Sequence, residues 1–133
     1  MRKLYVVLAL VFVCAIAEAS KKYPVTASSS VPAARGEVTV DNDKNGNMQV
    51  HLKVEHLANP QNLTPTASVY VVWLQDKNER PENMGQMKID KDLKGSFETV
   101  TSAKSFDLFV TGEKDSHIKA PAGQEVLRAA VQQ

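Results

Sequence analysis

The sequence is poor in residues that carry nucleophilic and metal chemistry. It has one cysteine, Cys14, and three histidines among its 133 residues. Zinc and copper sites need three or four convergent ligands, so we expect the scattered His51, His56 and His117 to be solvated surface residues. No serine lies in a Gly-x-Ser-x-Gly motif, and the carboxylates are spread through turns. We therefore predict no catalytic residue, no cofactor and no metal ligand, and expect a protein that is not an enzyme.

Long apolar runs are absent beyond the N-terminus. Leu4 to Ala17 is a run of 14 apolar residues after the basic Arg2 and Lys3, which is short for a membrane span of roughly 20 residues. The small residues Ala17 and Ala19 then form a signal-peptidase pattern before Ser20. We predict a signal peptide over 1–19, with an uncleaved membrane anchor as the alternative. Lipid attachment at Cys14 is disfavoured because the preceding Val13 is not small.

An excess of charge of one sign is also lacking. The chain has 16 basic and 15 acidic residues, and removal of 1–19 takes away two basic residues and one acidic residue, which leaves 14 of each. No basic excess indicates nucleic-acid binding. The remaining 114 residues suffice for one domain with a modest core. Because they contain no cysteine, we expect a bacterial envelope protein, in the periplasm or outside the cell.

The longest β-rich apolar run after the N-terminus is Tyr70-Val71-Val72-Trp73-Leu74, which contains the only tryptophan. Five such residues in a row predict a central strand buried on both faces, within 67–75. Before it, 36–55 holds two runs of alternating apolar and polar residues around Asn45-Gly46, the pattern of an antiparallel hairpin with one wet face.

Shorter strands are predicted around this centre. Residues 20–35 are either a flexible leader or contain an edge strand over 23–28, since proline is tolerated at sheet edges. Further strands are expected over 84–89, 96–100, 106–110 and 124–131, the last with a terminal helix as the alternative. The pattern predicts an all-β domain over 36–133, a single antiparallel, immunoglobulin-like β-sandwich of about seven short strands. The expected fold-defining core is Tyr70, Trp73, Leu74, Phe106, Leu108 and Val110.

The segment 41–46, Asp-Asn-Asp-Lys-Asn-Gly, matches the first half of a calcium-binding loop. The match fails at the twelfth position, where a bidentate glutamate is needed and Leu52 stands. The flanking segments also read as strands rather than helices. A hairpin tip rich in Asp and Asn is therefore the favoured interpretation.

The central strand and the last third of the chain together resemble a known family. The segments are Tyr70 to Leu74, Met84-Gly85-Gln86, Phe106 to Glu113 and Pro121 to Leu127. They resemble, in this order, motifs of the C-terminal extracytoplasmic domain of anti-sigma-K factors, over about residues 67–128. The resemblance implies a freestanding copy of the envelope-side, sensing module of such factors. Neither the sigma-binding domain nor the membrane helix is matched, so it implies no anti-sigma activity and no catalytic or cofactor residues.

We expect an exported module that binds a protein partner in the envelope, with a sensing or adaptor role. A structural protein that assembles through exposed strands is the alternative. Because a rigid sandwich presents its loops for contact, the loops 76–83 and 112–120 are the expected interaction surfaces. The sequence predicts neither the ligand nor the oligomeric state.

Overall fold

The computed structural model describes residues 20–132, so the predicted signal peptide, with Ala17 and Ala19, lies outside the described residues. Nine strands and one 3-10 helix, Pro60–Asn62, occupy this range. The strands are β1 Lys21–Pro24, β2 Thr26–Ala27, β3 Arg35–Asn42, β4 Met48–Glu55, β5 Val69–Asp76, β6 Glu82–Met87, β7 Gly95–Thr101, β8 Phe106–Glu113 and β9 Gln124–Val131.

The strands form two antiparallel sheets, which confirms the predicted β-sandwich. The four-stranded sheet has the order β1-β3-β4-β7, and the five-stranded sheet has the order β2-β9-β8-β5-β6. The seven strands from β3 to β9 correspond to those expected. Residues 20–35 add an edge strand to each sheet, since β1 pairs with β3 and β2 pairs with β9.

The hairpin β3–β4 follows from its alternating pattern. Val38 faces Leu52 and Val40 faces Val50, all buried, while the residues between them face solvent. At the tip, Gly46 has a φ of +79°, which glycine adopts without the steric cost of a side chain. β7 then pairs with β4 in an unbroken register from 95 to 101.

Strand β5 lies between β8 and β6 and is fourth of the five strands, so the prediction of a central strand is wrong in position: β8 is the middle strand. Its residues 70–74 are all buried, as their uninterrupted apolar character predicts. Tyr70, Val72 and Leu74 pack between the sheets. Val71 and Trp73 point to the other side, the outer face of the sheet, where they contact Phe109. Strand β5 is therefore covered on both faces, as predicted, although it does not occupy the middle of the sheet.

All six residues expected to define the core are buried, but Trp73 packs in the smaller outer-face cluster rather than between the sheets. The Tyr70 hydroxyl donates a hydrogen bond to the Ala58 carbonyl oxygen over 2.6 Å. Burial raises the pKa of Tyr70 to about 12, because the phenolate would lose its hydration.

The strand predicted over 84–89 lies two residues earlier, at Glu82–Met87. The β5–β6 register shifts between Val72 and Trp73, and Gly85 within β6 has a φ of +132°. This irregularity breaks the two-residue period on which the prediction depended. Met87 is buried at the end of β6, and Ile89, beyond the strand, packs against the same core and forms an isolated bridge to Gly95. Residues 124–131 form a strand and not the alternative helix.

Candidate functional site

Of the two segments predicted as contact loops, 76–83 is shorter in the structure and 112–120 is shifted toward the C-terminus. β5 extends to Asp76 and β6 begins at Glu82, while β8 extends to Glu113 and β9 begins at Gln124. The connections are therefore 77–81 and 114–123, and we call the second the β8–β9 loop. Ile118 of this loop packs against the outer-face cluster of Val71, Trp73 and Phe109. The β8–β9 loop thus lies over the outer face of the five-stranded sheet.

Asn83 joins strand β6 to the β8–β9 loop. Its side-chain Nδ2 donates hydrogen bonds to the carbonyl oxygens of Ser116, over 2.9 Å, and Ile118, over 2.8 Å. Its Oδ1 accepts a hydrogen bond from the backbone N–H of Gly85 over 2.9 Å. The amide therefore uses both donor hydrogens and its acceptor. It fixes the loop backbone beside the edge of the sheet.

A groove of about 810 Å³ lies between the start of β6 and the middle of the β8–β9 loop. We call it the β6 groove. It is lined by Pro81, Glu82, Asn83, Met84, Gly85, Gln86, Ser116, His117, Ile118 and Lys119. Its walls carry an acid, a base, an imidazole and two partly exposed apolar side chains, Met84 and Ile118. Such a mixed surface suits a peptide or protein segment better than an apolar small molecule.

The far end of the β8–β9 loop is held by Glu113, which is only 3% exposed. Its carboxylate accepts hydrogen bonds from the backbone N–H groups of Gly123, over 2.9 Å, and Ala122, over 3.2 Å. The Thr111 hydroxyl donates to the same carboxylate over 2.5 Å and accepts from Trp73 Nε1 over 2.8 Å. Burial of this carboxylate is compensated because three donors surround it.

The outer-face cluster is built from aromatic rings and a guanidinium group. Trp73 stacks on Phe109 with ring centroids 6.4 Å apart, and the Arg128 guanidinium lies 4.4 Å from the Phe109 centroid on that ring's face. Arg128 also donates to Glu125 and, over 2.7 Å, to Asp107. The hydrogen bond to Glu125, followed by the attraction of both carboxylates, raises the pKa of Arg128.

Residues from all four of the segments Tyr70 to Leu74, Met84 to Gln86, Phe106 to Glu113 and Pro121 to Leu127 contribute to this part of the structure. Trp73 and Glu113 belong to the hydrogen-bonded chain just described. A Cβ on Gly123 would lie 1.7 Å from the carbonyl oxygen of Gly112, and the positive φ of Gly85 disfavours any side chain there. Each of these four residues therefore has a structural reason for its identity.

The segment 41–46 forms the tip of the β3–β4 hairpin. Asp43 Oδ1 accepts hydrogen bonds from the backbone N–H groups of Asn45, over 2.8 Å, and Asn47, over 2.9 Å. This carboxylate stabilises the turn, as in an Asx-turn. Ser20 Oγ donates to the Asp41 carboxylate at the other side of the tip. Within residues 20–132, no group of three or more His, Cys, Asp or Glu side chains is arranged to hold a metal ion.

His51 lies on the outer face of the four-stranded sheet, between two side chains of β7. Its Nε2 is 3.2 Å from Ser96 Oγ, and its Nδ1 is 3.4 Å from Glu98 Oε1. The order of groups is that of a Ser-His-acid triad. However, the Glu98 side chain is 75% exposed, so water screens it and it cannot fix the imidazole as a buried acid does. We interpret the row as cross-strand surface contacts.

His117 and His56 are both exposed, His117 in the wall of the β6 groove and His56 after the end of β4. The sequence indicated neither the role of Asn83 nor that of Glu113, because each is one polar residue among many. No protein-family model matches the chain, and no curated protein matches it significantly. Within residues 20–132 we find no helix with the length and hydropathy needed to cross a bilayer.

Proposed function

We propose that this protein is an exported module of the bacterial envelope that binds a protein partner without catalysis, through the β6 groove. The observation that carries the proposal is the double hydrogen bond from Asn83 to the carbonyls of Ser116 and Ile118. It holds the loop in place before any partner arrives. A preorganised surface binds at a lower cost in conformational entropy.

The chemistry of the groove supports a protein segment as the partner. Glu82 and Lys119 offer charges of both signs, and Met84 and Ile118 offer apolar contact beside them. The resemblance to the extracytoplasmic domain of anti-sigma-K factors supports the same conclusion, because that domain is an envelope-side sensing part. A sensing or adaptor role requires a partner and no chemical step.

The proposal is tested by site-specific photocrosslinking in intact cells. A photoreactive residue at His117, exposed in the groove, is compared with one at Asn45, exposed at the hairpin tip. We expect one reproducible adduct with an envelope protein from position 117 and none from position 45. Asn83→Ala should reduce the adduct at 117, because the loop loses its anchor.

Equal adducts from both positions, or none from 117, would contradict the proposal. The mass of the N-terminus of the recovered protein tests export separately. A start at Ser20 supports a cleaved signal peptide, whereas an intact Met1 would support the membrane-anchored alternative.

The alternative function is structural, with assembly through exposed strands. The regular edge strand β7 favours this alternative, because an unhindered sheet edge can pair with another copy of the chain. An open-ended assembly would give crosslinked products of three or more copies of this chain from both labelled positions, and no adduct with a different protein.

A further inference from the structure

Three of the four sheet edges carry features that hinder pairing with another chain. β1 is a strand of four residues that contains two lysines and Pro24. β2 has two residues. β6 is bent by the register shift, contains Gly85 at positive φ, and is joined to the β8–β9 loop by Asn83. Short length, proline, lysine and bulges are the devices by which sheet edges avoid pairing.

The fourth edge, β7, lacks these features. It has seven residues, Gly-Ser-Phe-Glu-Thr-Val-Thr, with no proline and no register shift against β4. Among residues 20–132, the one isolated bridge along its outer edge joins Gly95, its first residue, to Ile89. Val100 on this strand is 52% exposed, the one large hydrophobic side chain described as exposed within residues 20–132. The edge from 96 to 101 is therefore regular in register, β-prone and partly apolar.

We propose that β7 pairs with β7 of a second copy of this chain, antiparallel and centred on Thr99, to form one continuous eight-stranded sheet. A two-fold axis perpendicular to the sheet places like faces together, so Glu98 lies opposite Val100 of the other copy and Phe97 lies opposite its Thr101. Thr99 of one copy lies opposite Thr99 of the other, with both side chains on the inner face of the sheet.

Charge selects this register over its neighbours. Centring on Glu98 would place two carboxylates directly opposite each other, which is destabilising. Centring on Phe97 would require the outer edge of Gly95, which Ile89 occupies. Centring on Val100 would leave only residues 99–101 of each strand paired. Residues 20–133 also balance 14 basic against 14 acidic side chains, so no net charge keeps two copies apart.

The assembly closes at two copies. An isologous contact uses the same edge of both chains, and the other three edges of each sandwich are hindered. The β6 groove lies on the five-stranded sheet, so each dimer carries two grooves. This inference concerns a surface separate from the proposed binding site, and either can fail without the other.

Sedimentation of the protein as cells produce it, over a concentration series, tests the pairing. Two variants that place charges of opposite sign at position 100 are compared with the wild-type protein. In the proposed register, position 100 of each copy lies opposite Glu98 of the other, so the dimer contains this contact two times. Val100→Glu makes both contacts repulsive, whereas Val100→Lys makes both attractive. We expect a reversible dimer, a dissociation constant raised about tenfold or more by Val100→Glu, and no weakening by Val100→Lys. Circular dichroism and thermal melting check that both variants remain folded.

A monomer at all concentrations, or equal weakening by both charges, would overturn the proposal. The register is tested independently in a Cys14→Ser background. A mixture of Glu98→Cys and Val100→Cys chains should form a disulfide-linked dimer faster than either variant alone, since positions 98 and 100 face each other across the two-fold axis. Equal rates in all three samples would contradict the register.

Discussion

The outer faces of the two sheets differ in what covers them. On the four-stranded sheet, β4 alternates Met48, Val50, Leu52 and Val54 inward with polar residues outward, and the outward face meets solvent. On the five-stranded sheet, β5 is apolar on both sides, and its outer side is buried under the β8–β9 loop. A two-layer sandwich has no third layer to cover such a face, so a loop covers it.

This difference shows how a loop becomes part of the structure. The β8–β9 loop is attached at Ser116 and Ile118 through Asn83 and at Ala122 and Gly123 through Glu113. Its middle contributes Ile118 to the cluster around Trp73. The covered face thereby gains a groove with fixed walls, and the bare face retains only solvated side chains.

Removal of the tryptophan should lower the free energy of unfolding more than any other substitution considered below. Trp73→Ala empties the centre of the outer-face cluster and should lower the free energy of unfolding by about 3–5 kcal/mol. Gln49→Ala, on the bare face, should change it by less than about 0.5 kcal/mol. Urea unfolding followed by circular dichroism measures both, and equal effects would show that the outer cluster does not support the fold.

Glu113→Ala should follow in size. It leaves the backbone N–H groups of Ala122 and Gly123 without their acceptor, at an expected cost of about 2–4 kcal/mol in unfolding free energy. Glu113→Gln retains one acceptor oxygen and the side-chain shape, so its cost should be smaller. Urea unfolding of the two variants side by side is decisive, since a glutamine that costs as much as alanine would mean that the hydrogen bonds to the loop contribute little.

Alkaline pH should weaken the inter-sheet core through Tyr70. Its pKa is raised from 10.0 to about 12 by burial, so the unfolded chain loses this proton first and unfolding is favoured as pH rises above 10. Stability should be unaffected by this group below pH 10 and should fall by about 2–3 kcal/mol by pH 12. The matched variant Tyr70→Phe lacks this phenol and should not show this contribution. Subtracting its unfolding free energy from that of the wild-type protein at each pH therefore isolates the effect of Tyr70.

Asn83→Ala should separate the loop from β6 at a modest cost. The two hydrogen bonds to carbonyl oxygens and the one accepted from the Gly85 N–H are lost, and we expect the free energy of unfolding to fall by about 1–2 kcal/mol. Hydrogen exchange by mass spectrometry should speed up in the peptide over 115–119 and stay unchanged at 122–123, which Glu113 holds. The control is Asn78→Ala in the exposed turn 77–81. Faster exchange throughout the loop would mean that the two attachments are not independent.

The smallest effect is expected on the bare face. His51→Ala should change the unfolding free energy by less than about 0.5 kcal/mol, because its contacts with Ser96 and Glu98 are exposed. A fluorophosphonate probe should not label Ser96 in the wild-type protein. Labelling that disappears in His51→Ala would reveal a working triad and contradict the interpretation of this row.

Local pattern was enough to predict the regular parts of the fold. Alternation set the β3–β4 hairpin and its Asn-Gly turn, and the apolar run from Tyr70 to Leu74 predicted burial on both faces. The shift of β6 could not be predicted, because the irregularity at Gly85 interrupts the period of two.

The candidate site was predicted only as two loops. Their connection depends on hydrogen bonds between residues more than thirty positions apart, from Asn83 to Ser116 and Ile118, which leave no periodic signal. One signal was present for the outer cluster. Phe109, Thr111 and Glu113 share one face of β8 by alternation, so a polar pair beside an aromatic ring could have been placed next to Trp73.

Hydrogen exchange of the wild-type protein tests most directly whether the β8–β9 loop is a structural cover. The backbone amides of Ala122 and Gly123, bonded to Glu113, should exchange as slowly as those of the inner strands, while those of the turn 77–81 exchange rapidly. Exchange at 122–123 as fast as in the turn would contradict the claim that this loop is a fixed layer of the sandwich.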